Sequence, residues 1–464
     1  MAPGNPFMRV TLVNHACCKV ETDDLGLLFD PWTEGPAFNA GWDLLIPTPL
    51  TFDEIMKGVS LIWISHEHPD HFSPTFLARV AKAHGNRVTI LFQTTRDRRV
   101  VNFCKSLGLT VRELAHGVPT RLSPTVTGTC GAYYFYDSWL YLTDGRHSLL
   151  NLNDCPVRLE RDLRKIAGLA PEPTLLLSQF SYAAWKGGRD NRAFRIAAAA
   201  QKLETLATQI RILRPRFTVP FASLIYFSNV ENSYLNDGVN TPRKAADAIR
   251  AAGSMPVVLY PGDGWQLGHP PTGTAGALDR YDRRYAEMAA LPLRAAGASV
   301  GLDELRASFE IYRARVLERN SRWLMTFLSK LGPLGAFRPV SVKLRDLDRT
   351  VVVSVVSGFV EQANGVGAPD VALHSSSLLF MLKNEFGFDT LTVNGRFEAS
   401  ADGFAKMIRS FSVGSLNALG LSVSWRLLFN LRLVLILMRH LIGVLARLRR
   451  PGEQQPAPFG AASD

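Results

Sequence analysis

The chain has 464 residues, 47% of them hydrophobic and 20% charged, proportions that exclude wholesale disorder, a fibrous repeat and a polytopic membrane protein. At roughly three times a ~150-residue domain, it holds two large domains or one elaborated domain with an appendage. The net charge is +11, and it is weighted to the end: from 401 onward Lys406, Arg409, Arg426, Arg432, Arg439, Arg447, Arg449 and Arg450 stand against Asp402, Glu453 and Asp464, eight minus three or +5.

In chain order, residues 8 to 32 predict two strands, VTLVN and LGLLF, parted by the turn-prone TDD and ended by DPW. LIWIS (61 to 65) is a short apolar run suited to a buried strand, and the polar string HEHPDH follows at once. A helix from Pro74 to His84, the strand VTILF, a helix near Arg96 to Leu107 and a strand around Val111 come next. SWLYLTD and SLLNLND predict a hairpin, TLLLSQF a buried strand, Ala197 to Leu213 a helix, and FTVPF the strand after it. Pro and Gly cluster at 268 to 275, marking a break. Beyond it, Tyr281 to Leu331 predicts helices, VSVKLRDLDRTVVVSVVSGFVEQ strands, LHSSSLLFMLKNEFG a helix and DTLTVNGRFE a strand.

Five cysteines, Cys17, Cys18, Cys104, Cys130 and Cys155, form no CxxC pair, which predicts reduced thiols and a cytoplasmic setting. The opening MAPGNPFMRVTLVNH has neither a basic leader nor an apolar run of secretory length, so export is not expected.

The segment that carries chemistry is 66 to 71. His66, His68, Asp70 and His71 offer imidazole and carboxylate donors, which suit Zn, Fe and Mn, on one loop just past a buried strand. In an extended loop His66 and His68 point the same way, while Asp70 and His71 fall on the next turn and can face a second ion. Glu67 is turned away from its neighbours and reads as structural. His84, His147, His269, His374 and His440 sit in polar, helical or loop contexts and read as surface or packing residues.

The HxHxDH pattern of HEHPDH, with LLFDPW and an NHA strand before it, resembles the metallo-β-lactamase superfamily over roughly residues 8 to 270. Five strings resemble one branch of it, the carboxy-terminal metal domain of CMP-N-acetylneuraminate hydroxylase: DPWTEGPAFNAGW (30 to 42), ISHEHPDH (64 to 71), LLNLNDC (149 to 155), LRPRFTVPFA (213 to 222) and YPGDGWQLG (260 to 268). The resemblance implies an α/β fold, the four-layer αβ/βα sandwich, over 1–275. It also implies metal ligands His66, His68, Asp70, His71 and Asp154, with Asp70 or Asp154 orienting the nucleophile, Asp30 supporting the ligands and His15 beside the pocket. Related enzymes carry a further His before the bridging Asp and another after a late strand. Here TVTGTCGAYYFYD has none, leaving Cys130, Tyr133 or His116 as substitutes, and Asn229 stands at the late position. A mononuclear or dinuclear centre of Zn2+ or Fe is expected. No CxH or CxxH pair exists to hold the hydroxylase's Rieske cluster, so an oxygenase here would need a separate reductase.

The remainder divides into a helical connector (276–335), a smaller α+β accessory domain (336–420), a basic amphipathic helix (421–450) and a disordered Pro-rich tail (451–464). The accessory part weakly resembles sterol-carrier-like domains, which implies an apolar ligand tunnel. A central Arg in a membrane span costs roughly 2.5 to 3.5 kcal/mol, so Arg432 and Arg439 argue for a helix lying on an anionic membrane surface through residues 426–450, with a partner subunit the competing reading. Basic residues interleaved with Leu, Ile and Val rather than stacking aromatics argue against nucleic acid. Three functions follow: a metal-dependent hydrolase acting on an anionic or amphiphilic small-molecule substrate, an iron-dependent hydroxylase fed by a reductase, or a non-catalytic metal- or lipid-binding protein.

Overall fold

The computed structural model describes residues 7–133, 136–331, 335–363, 367–418 and 420–424. The basic helix expected over 421–450 lies outside them except for its first four residues, and the tail 451–464 lies outside them entirely.

The first unit runs through β1 (Met8–Asn14), β2 (Cys17–Thr22), β3 (Gly26–Phe29), β4 (Trp42–Leu44), β5 (Leu61–Trp63), β6 (Thr89–Gln93), β7 (Thr110–Leu114), β8 (Pro119–Arg121), β9 (Thr127–Tyr133), β10 (Asp137–Thr143), β11 (Ser148–Asn153), β12 (Leu175–Gln179), β13 (Phe217–Phe221), β14 (Ile225–Phe227), β15 (Met255–Pro256) and β16 (Gly264–Gln266). They form two seven-stranded sheets, ordered β16-β1-β2-β3-β5-β6-β7 and β15-β13-β12-β11-β10-β9-β8, plus a ribbon of β14 and β4. The sheets mirror each other. β1, β2 and β3 are antiparallel and β3, β5, β6 and β7 parallel. In the second sheet β9, β10 and β11 are antiparallel and β11, β12, β13 and β15 parallel.

Side-chain alternation sorts the layers. Val10, Leu12, Leu27, Phe29, Trp63 and Leu91 face the second sheet and join its Leu140, Leu142 and Leu149 in one core. Their chain neighbours Val13, Leu28, Ile62, Ile64 and Ile90 face outward, where α1 (Phe52–Met56), α2 (Pro74–His84) and α3 (Arg99–Ser106) cover them. The second sheet is covered by α4 (Glu160–Leu169), α5 (Arg192–Leu213) and α6 (Pro242–Ala251), whose Leu163, Ile166, Leu206, Ile210, Ala246 and Ile249 are buried in the same core as the sheet. This is the expected four-layer αβ/βα sandwich.

The hydrophobic stretch after the 268 to 275 break is shared between two cores. α7 (Thr274–Ala286) buries Ala277, Leu278 and Tyr281 in the first. α8 (Leu302–Arg319) and α9 (Arg322–Ser329) bury Leu305, Phe309, Leu324 and Met325 in the second. That second core centres on a five-stranded sheet of β17 (Val340–Leu344), β18 (Arg349–Ser354), β19 (Gly358–Gln362), β20 (Val371–Leu373) and β21 (Phe397–Ala399), ordered β19-β18-β17-β20-β21. Helices α10 (Ser375–Lys383), α11 (Gly387–Asn394) and α12 (Ala401–Ala418) pack with it. Trp32, Phe38, Trp42 and Phe227 of the first unit belong to this core too, so the two units share one apolar seam.

Two expectations are corrected. Where two strands are expected over residues 8 to 32, three form: CCKVET is a strand in its own right, because pairing with both β1 and β3 buries Cys18 and Val20. DTLTVNGRFE, expected as one strand from its alternation, is mostly the helix α11. Its closing Gly395 takes φ 63°, a left-handed conformation natural to glycine, and donates its N–H to the Leu391 carbonyl. Tertiary contact outweighs strand propensity there: the Thr392 and Asn394 carbonyls accept hydrogen bonds from Trp185 N–H (3.0 Å) and Asn232 Nδ2 (2.6 Å) of the first unit.

Candidate metal centre

The chain ends of β3, β5 and β11 and the β1–β2 turn meet at one edge of the sandwich, and each contributes polar side chains. β5 leads into the loop carrying His66 to His71, which α2 closes with Ser73 as its cap, Ser73 Oγ accepting the Phe76 N–H at 3.3 Å, and Pro74 at the first helical position.

Asp30, just past β3, is fully buried and fastens both ends of that loop. Its carboxylate accepts the Ser65 N–H (2.7 Å), the Ser65 hydroxyl (2.8 Å) and His71 Nδ1–H (2.9 Å). Because a carboxylate only accepts, His71 keeps a proton on Nδ1, and its Nε2 lone pair, once the ring is neutral, is the one open to the site. Nε2 makes no hydrogen bond and lies 3.5 Å from Asp70 Oδ2 and 3.6 Å from Asp154 Oδ2. The Ser65 hydroxyl, spent on Asp30, can only accept from His66 Nδ1 at 2.9 Å. His66 Nε2 is therefore also a lone pair; it faces His68 Nδ1 at 2.8 Å and Asp154 Oδ2 at 3.7 Å.

His15 brings its Nε2 to 3.3 Å from Asp70 Oδ2, and on distance alone His15, Asp70 and His71 make one possible metal triad while His66, His68 and Asp154 make another. The tautomer decides against His15 as a ligand. Its Nδ1 accepts the Leu224 N–H at 3.1 Å, so its proton sits on Nε2 and is donated to Asp70. His15 thus holds Asp70 Oδ2, the oxygen 3.5 Å from His71 Nε2, while Oδ1 is buried without a hydrogen bond.

Asp154 is aimed by the asparagines before it. Asn151 Oδ1 accepts the Asn153 N–H (2.8 Å), Asn153 Oδ1 accepts the Asp154 N–H (2.6 Å), and Asn153 Nδ2 donates to the Ser138 carbonyl (3.0 Å). Asn153 at φ 42° completes a turn at an irregularity of the β11–β12 pairing. Asp154 Oδ1 is buried without a hydrogen bond.

Burial holds His66 far below its usual range, helped by the neighbouring histidines, which leaves it as the neutral imidazole a metal needs. His71 goes the other way: burial disfavours its charge, but Asp154, Asp70 and Asp30 around it prevail and push it well up. Burial alone would raise Asp70 and Asp154, yet the surrounding histidines hold both below the ordinary carboxylate range. Burial pushes Asp30 up despite its hydrogen bonds. Carboxylates gathered around histidines at a largely buried site are an arrangement that a bound cation would stabilise. The donor set fits a divalent ion: His66, His68 and Asp154 on one side, Asp70, His71 and the shared Asp154 on the other.

Of the substitutes for the missing histidines, His116 and Cys130 are spoken for elsewhere. His116 is exposed, and its Nδ1 accepts the Ala132 N–H at 2.9 Å. Cys130 lies inside the first core, where burial pushes its thiol up to about 12, so it is a small apolar residue rather than a thiolate. Asn229 is fully buried, its amide donating to the Ala40 and Ala295 carbonyls and its oxygen accepting the Glu231 N–H, and it shapes a turn.

Sequence reasoning missed two carboxylates. Asp137 opens β10, pushed well up by burial and by the charge of Asp154. Asp389, on α11, is pushed up by burial, which a hydrogen bond from Ser415 partly offsets. α11 lies over the loop: Phe386 stacks on Arg99, which pairs with Glu67 at 3.1 Å, and Asn394 Nδ2 donates to the Phe38 carbonyl while the Phe38 ring meets His68 edge-on at 5.7 Å. Only DSW before a strand hinted at Asp137, and nothing local at Asp389.

No family model matches the chain. By sequence it is similar to the cytidine monophosphate-N-acetylneuraminic acid hydroxylase of Mus musculus, 27% identical over 307 residues, covering 59% of this chain and 52% of that protein. The inactive Homo sapiens counterpart is 27% identical over 312 residues, covering 59% of this chain and 60% of that protein. The chain spans about half the length of the curated relatives it matches. Among solved structures, a metallo hydrolase from the hyperthermophilic archaeon Ignicoccus hospitalis covers 57% of this chain and 100% of its own at 16% identity and TM-score 0.40. CmlA, a diiron β-hydroxylase from Streptomyces venezuelae, covers 57% and 54% at 13% identity and TM-score 0.40. The likeness to the hydroxylases expected from the sequence strings is thus found, and the two mirrored sheets form the four-layer αβ/βα sandwich that the resemblance implied.

Proposed function

We propose that this chain is a metal-dependent hydrolase acting on an anionic small molecule. One observation carries the reading: Asp70 Oδ1, His71 Nε2 and Asp154 Oδ1 are ligand atoms buried without hydrogen bonds at the same edge of the sandwich. Leaving three such atoms unpaired costs stability, and a cation repays it. When bound, a divalent ion lowers the pKa of a bound water to about 7 and polarises the bond under attack. The chain's own groups do the rest. Asp154, with Oδ2 almost equidistant from His66 and His71, serves both halves of the centre. Asp70, restrained by His15, orients the attacking water and can take its proton at Oδ1. Asp30 keeps the loop from opening. The curated relatives are named for a nucleotide-linked acidic sugar, which supports an anionic substrate.

A second reading, iron-dependent hydroxylation, is favoured by the two-histidine, one-carboxylate grouping of His66, His68 and Asp154 and by the relatives' names. It needs an electron donor from outside these residues. Metal content measured on purified full-length protein, with turnover of CMP-sugars and phosphate and carboxylate esters followed with and without dioxygen and a reductant, separates the two. Zinc with oxygen-independent turnover supports hydrolysis. Iron with turnover that requires dioxygen and reductant overturns it for hydroxylation, and no metal, with His66→Ala/His68→Ala without consequence, overturns both.

A further inference from the structure

We propose that Arg338 and Arg409, in the second unit, form a binding site for a phosphate group. Phe337 and Arg338 lead into β17 and are pinned against α12 from both sides: Phe337 N–H donates to the Arg409 carbonyl (3.1 Å) and the Ser410 hydroxyl to the Arg338 carbonyl (2.8 Å). Phe337 takes φ 62° and buries its ring in the second core, while Arg338 and Arg409, fixed as neighbours by those two bonds, are both half-buried. Two cations held together in this way repel each other, and their withdrawal from water adds to the cost.

The chain does not offset that cost itself. One turn earlier on α12, Lys406 has an acid of its own: its Nζ lies 2.6 Å from Asp370 Oδ2, which also accepts the Ser341 N–H (2.8 Å). Among the described residues no carboxylate pairs with Arg338 or Arg409, and Arg409 Nε is buried without a hydrogen bond. Burial and then the charge of Arg338 hold the Arg409 guanidinium below its usual range, and the exposed Asp402, two turns back, does not restore it. The ligand that fits is an oxyanion. A guanidinium offers Nε–H and an Nη–H as a parallel fork, and a phosphate group has oxygens enough for two such forks, with a charge near −2 to match two arginines; a carboxylate would leave one positive charge over. Neither arginine belongs to the metal centre, so the site stands whichever reaction that centre performs.

The test is thermal unfolding of the full chain in sodium phosphate against sodium chloride of equal ionic strength. Phosphate should raise the unfolding temperature of the wild type by about 2–4 °C. Arg409→Met should lose that gain and unfold no earlier than the wild type in chloride, because it removes an uncompensated charge; Arg338→Met should lose the gain as well. Arg409→Lys keeps the charge without the fork and should retain only part of it. Glycerol 3-phosphate run beside inorganic phosphate tells two sources of the group apart: an equal gain assigns the free ion and a larger one a phosphate monoester, and both support the site. No gain in the wild type overturns it. An equal gain in both methionine variants also overturns it, by putting the phosphate elsewhere, the metal centre included. So does an Arg409→Met protein that unfolds earlier in chloride, since the arginine would then already be satisfied by the chain itself.

Discussion

Two buried polar clusters in this molecule look alike until their charges are balanced. At the seam between the units, Glu231 and Arg396 are 7% and 4% exposed and pair through Arg396 Nε at 2.8 Å, while Arg396 Nη1 donates to the Asn39 carbonyl and Asn232 Nδ2 to that of Gly41. One cation meets one anion, and backbone carbonyls take the rest. At the sandwich edge, Asp30, Asp70 and Asp154 crowd one another, and three ligand atoms have no hydrogen bond. Atoms without a hydrogen bond occur at both places, Arg396 Nη2, Trp42 Nε1 and Trp185 Nε1 at the seam and Asp70 Oδ1, His71 Nε2 and Asp154 Oδ1 at the edge. What differs is the charge: the seam pairs one cation with one anion, Arg396 Nη2 lying 2.6 Å from Glu231 Oε2, whereas the edge gathers carboxylates with histidines. The seam therefore reads as architecture and the edge as a place a cation would suit, and charge balance says more about role than burial does.

The sharpest way to break that comparison is Asp154→Asn. If the edge is built for a cation, this variant loses metal and at least about a thousandfold in turnover, since the metal's contribution is worth several kcal/mol. Because the surrounding histidines hold Asp154 below its ordinary range, losing its charge should also cost the metal-free protein stability at neutral pH, though without unfolding it. Metal analysis and thermal unfolding of the same sample check both halves; a variant that unfolds while wild-type apoprotein does not would make the edge structural.

Arg396→Met is the mirror experiment. It strands the Glu231 charge in the seam and should cost about 3–5 kcal/mol in denaturant unfolding while the metal stays bound. Metal loss from a well-folded Arg396→Met protein would mean that the seam and the centre are one cooperative unit.

His15→Phe probes the support of a ligand rather than the ligand itself. The ring is kept beside Trp32, 5.5 Å away edge-on, but the hydrogen bond to Asp70 is gone. Metal affinity or turnover should fall about 10- to 100-fold. A complete loss of metal, as in Asp154→Asn, would make His15 a ligand and overturn the tautomer assigned from Leu224.

How far the sequence carried depends on whether a feature is local. LIWIS followed by HEHPDH places a buried strand against its ligand loop within eleven residues of chain, and Asp30 and Asp154 stand directly after apolar strands, so all could be read in line. The orientation of His15 depends on a peptide N–H at Leu224, 209 residues away. α11 reads as a strand because TLTVN alternates, and becomes a helix because its carbonyls are claimed by Trp185 and Asn232. Phe38, whose ring meets His68, takes the Asn394 amide on its carbonyl only once the second unit has folded over the first. What failed to show was long-range in each instance, and the pairing that decides it has no trace in local spacing.

Cys130 offers the mildest test, because a residue once weighed as a ligand now belongs to the closed side of the comparison. Its thiol ionises near 9.0 when unfolded and is pushed to about 12 in the fold by burial. Below pH 9 both states keep the proton, and it contributes no pH dependence. Between 9 and 12 the unfolded chain releases the proton and the folded one does not, so stability falls as pH rises, by up to about 1.4 kcal/mol per pH unit for this one group. Cys130→Ala should flatten that part of the curve, lose about 1 kcal/mol at neutral pH through the small cavity left beside Trp63, and bind metal as the wild type does. Metal loss in this variant would move Cys130 to the open side and give the centre a sulfur ligand.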